Sequence, residues 1–268
     1  MKDYLRELVA EQRSVLVRQS VAREYLQARI LGILQDNGAF VNWVFLGGTA
    51  LRFLFRIPRY SEDLDFVLRD PAVPCRFEEL VAKIRDALTA EGYSLTVKSR
   101  PAKTVASCFV RFAGLPHELG LSPHRDQVLA VKLEIDTNPP AGGQVTTTLI
   151  RRYVTLNLLH HDKASLLAGK INAVLCRPYV KGRDLFDLIW YLADPTWPAP
   201  NLRLLNAGLE QMAWDGPVLN AANWRAAVRK HVENLRWDEA VTDVRPFLER
   251  EADLSLLTQA NCLSLLSQ

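Results

Sequence analysis

The front half of the chain changes repeatedly between the hydrophobic period of a helix and that of a strand. Long stretches with apolar residues three and four positions apart predict helices, and short apolar or alternating runs predict strands. Glycine, asparagine and proline end several of these stretches. The predicted elements are helices over 4–34, 50–55 and 77–91 and strands over 41–46, 64–68, 94–98, 106–112, 129–136 and 146–149.

The back half is predicted to be helical nearly to its end. Six helices are expected, over 163–177, 183–193, 202–212, 223–235, 238–249 and 254–266. The segment 195–200 contains three prolines and predicts a linker or a sharp corner, and Pro246 should kink or split its helix. Strands followed by helices favour an α+β fold with a mixed sheet, in two lobes over residues 1–160 and 161–268.

Composition limits the class of protein without identifying it. The chain has 268 residues and a formal net charge of +3, too small to indicate nucleic acid binding by itself. Its four cysteines form no C-x-x-C pair, so neither a zinc ribbon nor a redox motif is indicated. The charged N-terminus does not resemble a signal peptide, and no apolar stretch reaches membrane-spanning length. A cytoplasmic protein with no membrane partner is expected.

Two glycines and a threonine follow the first predicted strand and open a helix. Phosphate oxygens need several backbone N–H groups at close range, and the absence of a Cβ at Gly47 and Gly48 allows that approach. Thr49 is expected to be the N-cap of the helix and to offer its hydroxyl. The alternative is a tight strand-to-helix turn that binds nothing.

Two carboxylates lie two positions apart on the next predicted strand. Asp63 and Asp65 should point to one face, while Leu64 and Phe66 point to the other. Because paired acids repel each other unless a cation lies between them, this pattern favours a magnesium site. The alternative is a solvated edge strand or a turn.

A third carboxylate would complete a site for two metal ions. The predicted strand over 129–136 places Lys132, Glu134 and Asp136 on one face, and either acid is a candidate. The sequence does not distinguish between Glu134 and Asp136. Both could equally belong to the polar face of a half-exposed strand.

A lysine and a basic segment mark the back half. Lys170 lies on the helix over 163–177 and could reach a nucleotide phosphate, although taken alone a surface lysine is the simpler interpretation. The basic run over 177–185 could contact a polynucleotide backbone or could be a solvated connection. Asp184 and Asp187 lie near the start of the next helix, where acids are favoured for capping alone.

In their order and spacing these motifs resemble the AbiEii/AbiGii nucleotidyltransferase toxins of the DNA polymerase beta-like superfamily. The motifs are Gly47-Gly48-Thr49-Ala50-Leu51-Arg52, Ser61-x-Asp63-x-Asp65, and Lys170 with Arg183-Asp184-Leu185-x-Asp187-Leu188. The resemblance implies a polymerase-beta-like nucleotidyltransferase lobe followed by a mostly helical lobe that completes the active-site cleft.

The resemblance also implies roles for individual residues. The glycines Gly47 and Gly48, with Thr49, would hold phosphate, and Asp63 and Asp65 would hold the metal ions. Lys170 would hold the triphosphate and Asp184 would complete the cleft. Ser61 would line the triphosphate site and, in some members, is a position where an antitoxin adds phosphate. Arg59 is a candidate for an additional phosphate contact.

The activity expected from this resemblance is transfer of a nucleoside monophosphate from a nucleoside triphosphate to RNA, with release of pyrophosphate. Mg²⁺ or Mn²⁺ would be the cofactor, the 3′ end of tRNA the acceptor, and a cognate antitoxin the protein partner. Two alternatives stay open. The acceptor could be a small molecule or a protein hydroxyl, or the chain could be a non-catalytic nucleotide-binding module.

Overall fold

The computed structural model of the chain describes residues 2–12, 14–100 and 104–268. It divides into two compact units, which we call the sheet unit and the helical unit. The sheet unit comprises Met1–Arg56, Tyr60–Asn138 and Thr147–His160. The helical unit comprises Ile57–Arg59, Pro139–Thr146 and His161–Gln268. The division of function between two lobes at residue 160 stays a prediction.

A mixed sheet forms from seven strands in the described part of the chain, in the order β3-β4-β5-β2-β1-β7-β6. The pairs β1–β2, β3–β4 and β4–β5 are antiparallel, whereas β2–β5 and β1–β7 are parallel. The predicted mixed sheet is therefore confirmed. The strands are β1 (Trp43–Leu46), β2 (Asp63–Leu68), β3 (Leu95–Arg100), β4 (Val105–Ala113), β5 (Val128–Asp136), β6 (Val145–Arg152) and β7 (Val154–His161).

Strand β7 is absent from the sequence prediction, and its burial explains why. Its last four residues, from Leu158 to His161, are all buried, so the apolar and polar positions do not alternate there. A strand covered on both faces carries no period of two, and its pattern cannot be separated from that of a buried helix.

Eleven α-helices lie in the described ranges, and most match the predicted ones. They are α1 (Lys2–Ala10), α2 (Val15–Asp36), α3 (Gly47–Phe55), α4 (Phe77–Ala90), α5 (Leu115–Glu118), α6 (Lys163–Cys176), α7 (Gly182–Leu192), α8 (Leu202–Gln211), α9 (Trp224–Val232), α10 (Trp237–Val244) and α11 (Gln259–Leu265). None of the described helices is long and apolar enough to cross a membrane.

Three helix predictions need correction. The single helix expected over 4–34 is two helices, because α1 ends at Ala10 and α2 begins at Val15. The helix expected over 238–249 stops at Val244, where a 3-10 turn, Arg245–Phe247, takes in Pro246. This agrees with the predicted break, since proline cannot donate the next helical hydrogen bond. The helix expected over 254–266 is a 3-10 segment, Glu251–Leu256, followed by α11.

The core of the sheet unit lies on one face of the sheet. Alternate residues of β5, Val131, Leu133 and Ile135, are fully buried, while the residues between them are half-exposed. Helix α4 packs against β3 and β4 with its buried apolar side chains. The opposite face of β2 and β5, which we call the open face, is left for polar side chains.

The close packing of α7 against α10 generates a prediction for stability. A Cβ at Gly182 would overlap the backbone carbonyl of Ala240, whereas a Cβ at Gly169 meets nothing within 4 Å. We therefore expect Gly182→Ala to lower the free energy of unfolding by about 3 kcal/mol or more, as overpacking against a backbone atom does. Gly169→Ala, in the middle of α6, should raise it by up to about 1 kcal/mol because alanine is the better helix former. Urea unfolding measures both, and equal effects would contradict the packing argument.

Candidate active site

A glycine turn joins β1 to α3 and defines one side of the candidate site. Gly47 has a φ of +78°, a backbone conformation that favours glycine. The antiparallel register places Leu46 opposite Asp65, so the turn begins beside the carboxylate of Asp65. A Cβ on Gly47 would overlap the Asp65 carboxylate oxygen and would lie 3.2 Å from its Cβ. Glycine is therefore required here by the backbone and by the neighbouring acid.

Helix α3 starts at Gly47, three residues earlier than predicted, and its N-cap is Leu46. The prediction that Thr49 is the N-cap is therefore wrong. Thr49 is fully buried within the first turn, and its hydroxyl donates a hydrogen bond to the carbonyl of Asp63. Thr49 therefore does not cap the helix but links α3 to the start of β2. The first-turn amides of α3, including that of Gly48, have no acceptor within the helix, as at any helix N-terminus.

The two acids of β2 lie as the alternation predicts. Asp63 and Asp65 are half-exposed on the open face, whereas Leu64 and Phe66 are buried on the core face. The segment is a strand paired on both sides, so the alternatives of a turn and of an edge strand are excluded. Two carboxylates on one face of a central strand are costly to place together without a cation between them.

The register of β5 distinguishes the two candidates for the third carboxylate. In the parallel pairing with β2, Glu134 is opposite Asp65 and Lys132 is opposite Asp63. Asp136 is opposite Val67, one pleat further along, and its carboxylate accepts the N–H of Asn138 at 2.8 Å. The geometry thus favours Glu134, whose carboxylate lies 2.6 Å from the Lys132 ammonium.

The donor chemistry of these side chains fits a hard divalent cation. Among the described residues no three His, Cys, Asp or Glu side chains come together as a preformed metal cluster. Magnesium does not need such a cluster, because it binds through one or two carboxylates and takes its other ligands from water and substrate phosphates. Asp63 and Asp65 supply two carboxylates on one face, and Glu134 is the cross-strand partner of Asp65.

Helix α2 supports the acidic strand with a residue that the sequence prediction missed. The buried side-chain amide of Gln27 donates hydrogen bonds to the carbonyls of Ser61 at 3.1 Å and Glu62 at 2.9 Å. These two residues directly precede Asp63, so Gln27 holds the backbone at the entry to the site. Ser61 itself is half-exposed.

A buried carboxylate on the same helix holds α3. Glu24 is 2 % exposed, and it accepts hydrogen bonds from Arg52 at 2.6 Å, Arg152 at 2.7 Å and the Tyr153 hydroxyl at 2.9 Å. Burial raises the pKa of the Tyr153 hydroxyl, and the neighbouring Glu24 carboxylate raises it further. Two arginines and a phenol satisfy the charge, as a buried acid requires. The sequence carries one indication of this cluster: positions 20, 24 and 27 of α2 are polar although they lie among its buried apolar residues.

In the helical unit, Lys170 is the centre of a buried ion-pair network. Its ammonium lies 3.0 Å from Asp184 and 2.7 Å from Asp187, both on α7. Arg59, which is 2 % exposed, donates two hydrogen bonds of 2.5 Å to Asp187. The interpretation of Lys170 as a surface lysine is therefore wrong. The structure brings Lys170, Asp184 and Arg59 into one network, in which Asp187 pairs with both Lys170 and Arg59. The role of Arg59 as a phosphate contact stays a prediction.

The network shifts the pKa of two groups. Burial alone would lower the pKa of Lys170, but the attraction of Asp187 and Asp184 outweighs it and the pKa is raised. Burial would raise the pKa of Asp184, but the charges of Lys170, Arg177 and Lys181 outweigh it and the pKa is lowered. Both groups are therefore held in their charged forms at neutral pH.

A glycine turn beside two strand-borne carboxylates can bind phosphate and a divalent cation, which is the chemistry that a nucleotidyltransferase needs. The sequence model of one family, described as nucleotidyl transferase AbiEii toxin of a type IV toxin–antitoxin system, matches residues 29–257, and the chain belongs to this family. The resemblance seen in the motifs is confirmed: the protein is a nucleotidyltransferase toxin of a toxin–antitoxin system. No curated protein matches the sequence.

Two solved structures share the fold. JHP933 from Helicobacter pylori superposes with a TM-score of 0.57 at 18 % identity, over 93 % of this chain and 90 % of that one. MenT4, a nucleotidyltransferase toxin from Mycobacterium tuberculosis, gives a TM-score of 0.54 at 17 % identity over 99 % of both chains. At these identities the likeness is one of fold.

The glycine turn predicts different outcomes for two substitutions. Gly38 and Gly47 both have positive φ, but a Cβ on Gly38 meets nothing within 4 Å. Alanine at either position should cost about 1–2 kcal/mol of stability because of the backbone conformation. Only Gly47→Ala should displace Asp65, and we expect it to lower the nucleotidyl transfer rate about 100-fold or more, as a misplacement of about 1 Å does. A Gly47→Ala protein with the activity of Gly38→Ala would contradict this role.

The network in the helical unit predicts a pH dependence of stability. Because the pKa of Asp184 is lowered on folding, its contribution is present above the unfolded pKa of about 4 and is lost as the pH falls through the folded pKa. We expect Asp184→Asn to be less stable than the wild type at pH 7, with the difference narrowing below about pH 4. Urea unfolding across this range tests it. The exposed Asp215, as Asp215→Asn, is the control and should follow the wild-type curve.

Proposed function

We propose that this toxin transfers a nucleoside monophosphate from a nucleoside triphosphate to the 3′ end of RNA, with tRNA as the acceptor and Mg²⁺ as the cofactor. The observation that carries the proposal is the approach of Gly47 to Asp65 on the acidic face of β2. It puts backbone donors for phosphate beside carboxylates that suit a divalent cation. Membership of a nucleotidyltransferase toxin family supports the same chemistry.

Each group has a defined part in this proposal. The amides of Gly47 and Gly48 hold phosphate oxygens at the N-terminus of α3, where the helix dipole favours negative charge. Asp63, Asp65 and Glu134 are the residues that would hold Mg²⁺. The bound cation would neutralise charge on the phosphates. One of these carboxylates also takes up the proton of the acceptor hydroxyl as its oxygen attacks the α-phosphate. The bond from the α-phosphorus to the bridging oxygen breaks, and pyrophosphate leaves.

The family resemblance assigns Lys170 of the helical unit to the triphosphate. Its ammonium stays protonated because Asp184 and Asp187 hold it, and no reorganisation is needed when substrate binds. Asp184 accepts a hydrogen bond from this ammonium, and Arg59 donates to Asp187, its other partner. Catalysis then consists of positioning and charge stabilisation, as in phosphoryl transfer generally.

We include a cognate antitoxin as the partner. Ser61 is half-exposed two residues before Asp63, and its backbone is held by Gln27. A phosphate added to this hydroxyl would bring negative charge next to the acids and would oppose binding of the triphosphate. Ser61 is therefore the position at which we expect an antitoxin to modify the toxin.

Incubation of the purified protein with Mg²⁺, each α-labelled triphosphate and total RNA tests the proposal. We expect label on RNA, loss of that label in EDTA, and one added nucleotide type when RNA 3′ ends are sequenced. Label on a protein or metabolite would refute the RNA acceptor, and nucleotide binding without release of pyrophosphate would refute transfer.

Substitution of the acids gives a sharper outcome. We expect Asp63→Asn and Asp65→Asn each to lower transfer more than about 100-fold, because the charge-stabilising group is lost while the side-chain shape is kept. Asp126→Asn changes an exposed aspartate in the same unit and should leave activity unchanged. Thermal unfolding checks that all three variants fold. Wild-type activity in either β2 variant would contradict the assignment.

A further inference from the structure

The open face of the sheet extends beyond the acids of β2 to β5, β4 and β3. Cross-strand partners on these strands form rows of side chains that point to the same face. One row runs from Asp63 through Lys132 and Phe109 to Lys98, because each is the cross-strand partner of the next. Two more cations lie on the same face in the adjacent rows. Arg100 is opposite Ser107, and Arg111 lies between Ala130 and Thr96. We call Lys98, Arg100, Phe109, Arg111 and Lys132 the cationic track.

Of the four cations in the track, only Lys132 is held by a carboxylate of the described residues, that of Glu134. Lys98, Arg100 and Arg111 are exposed, and none of them forms an ion pair with a described residue. Residues 92–117 contain no aspartate or glutamate at all. Most other cations described above form ion pairs with carboxylates, as Arg59 and Arg52 do. Exposed cations that pair with no described carboxylate, such as these three cations of the track, are typical of a surface that binds phosphates.

The track also contains an aromatic side chain at its centre. Phe109 lies on the open face and is half-exposed, while its strand neighbours Cys108 and Val110 are fully buried on the core face. The ammonium of Lys132 lies 5.8 Å from the centre of the Phe109 ring. Aromatic rings set among cations on a sheet surface are the platforms on which single-stranded nucleic acids stack their bases.

We propose that the cationic track holds single-stranded RNA just upstream of the acceptor hydroxyl, with a base stacked on Phe109 and phosphates on Lys98, Arg100 and Arg111. The inference rests on the proposed function and adds the route by which the acceptor reaches the acids. With neighbouring strands about 4.8 Å apart, Phe109 lies roughly 10 Å and Lys98 roughly 14 Å from Asp63. That separation suits the last nucleotides before the reacting end, whereas the triphosphate belongs at the glycine turn.

Fluorescence anisotropy with a short labelled single-stranded RNA tests the track without requiring turnover. We expect Lys98→Ala and Arg111→Ala to weaken RNA binding and to reduce the slope of log K against log salt by about 0.7 per lost phosphate contact. Phe109→Ala should weaken binding about tenfold through lost stacking, and Phe109→Trp should restore it. The affinity for a labelled triphosphate should not change in any of these variants.

Lys83→Ala is the matched control. Lys83 is an exposed lysine of the same unit, on α4, which packs against β3 and β4 through buried residues of their core side. It should bind RNA as the wild type does.

Wild-type RNA affinity in all the track variants, or an equal loss in Lys83→Ala, would overturn the track. A selective loss of triphosphate affinity would overturn it too, because the face would then serve the nucleotide. Failure of the proposed function is a separate result: the wild type would leave RNA unlabelled in the transfer assay, whatever the track variants do.

Discussion

The candidate site depends on the contact between the backbone of Gly47 and the carboxylate of Asp65. The antiparallel pairing of β1 with β2 creates it, because Leu46 opposite Asp65 makes the chain turn into α3 beside the acid. A side chain at this turn would push the acid away, and a different register would separate the helix N-terminus from the carboxylates. Backbone amides of a helix N-terminus and carboxylate oxygens are thereby brought together by one strand pair.

Buried polar residues keep this arrangement in place. Glu24 on α2 holds Arg52 of α3, and Gln27, one turn further, holds the backbone before Asp63. A buried charge without partners would be strongly destabilising, so each of these groups is tied to several donors or acceptors. The polar positions of α2 thus fix α3 and β2 relative to each other, which a purely apolar helix face could not do with the same directionality.

The helical unit shows the same principle around Lys170. Its partners Asp184 and Asp187 come from the next helix, and Arg59 comes from a segment far earlier in the chain. A lysine on an amphipathic helix is most often at the surface, so the sequence supported a surface position. Only the convergence of three distant segments makes burial of this ammonium favourable, since burial by itself would lower its pKa.

Elements with a clear hydrophobic period could be predicted from the sequence, among them β2, α4 and β5. So could the common face of Asp63 and Asp65, because side-chain direction alternates within a strand. The cross-strand partners and the burial of individual side chains follow only from the tertiary structure. It placed Glu134, rather than Asp136, opposite Asp65, turned the Thr49 hydroxyl toward β2, and buried both faces at the end of β7. Periodicity is a property of neighbouring residues and can therefore be read from the sequence. Register and burial depend on hydrogen bonds and packing between segments that are distant in the chain, so they cannot.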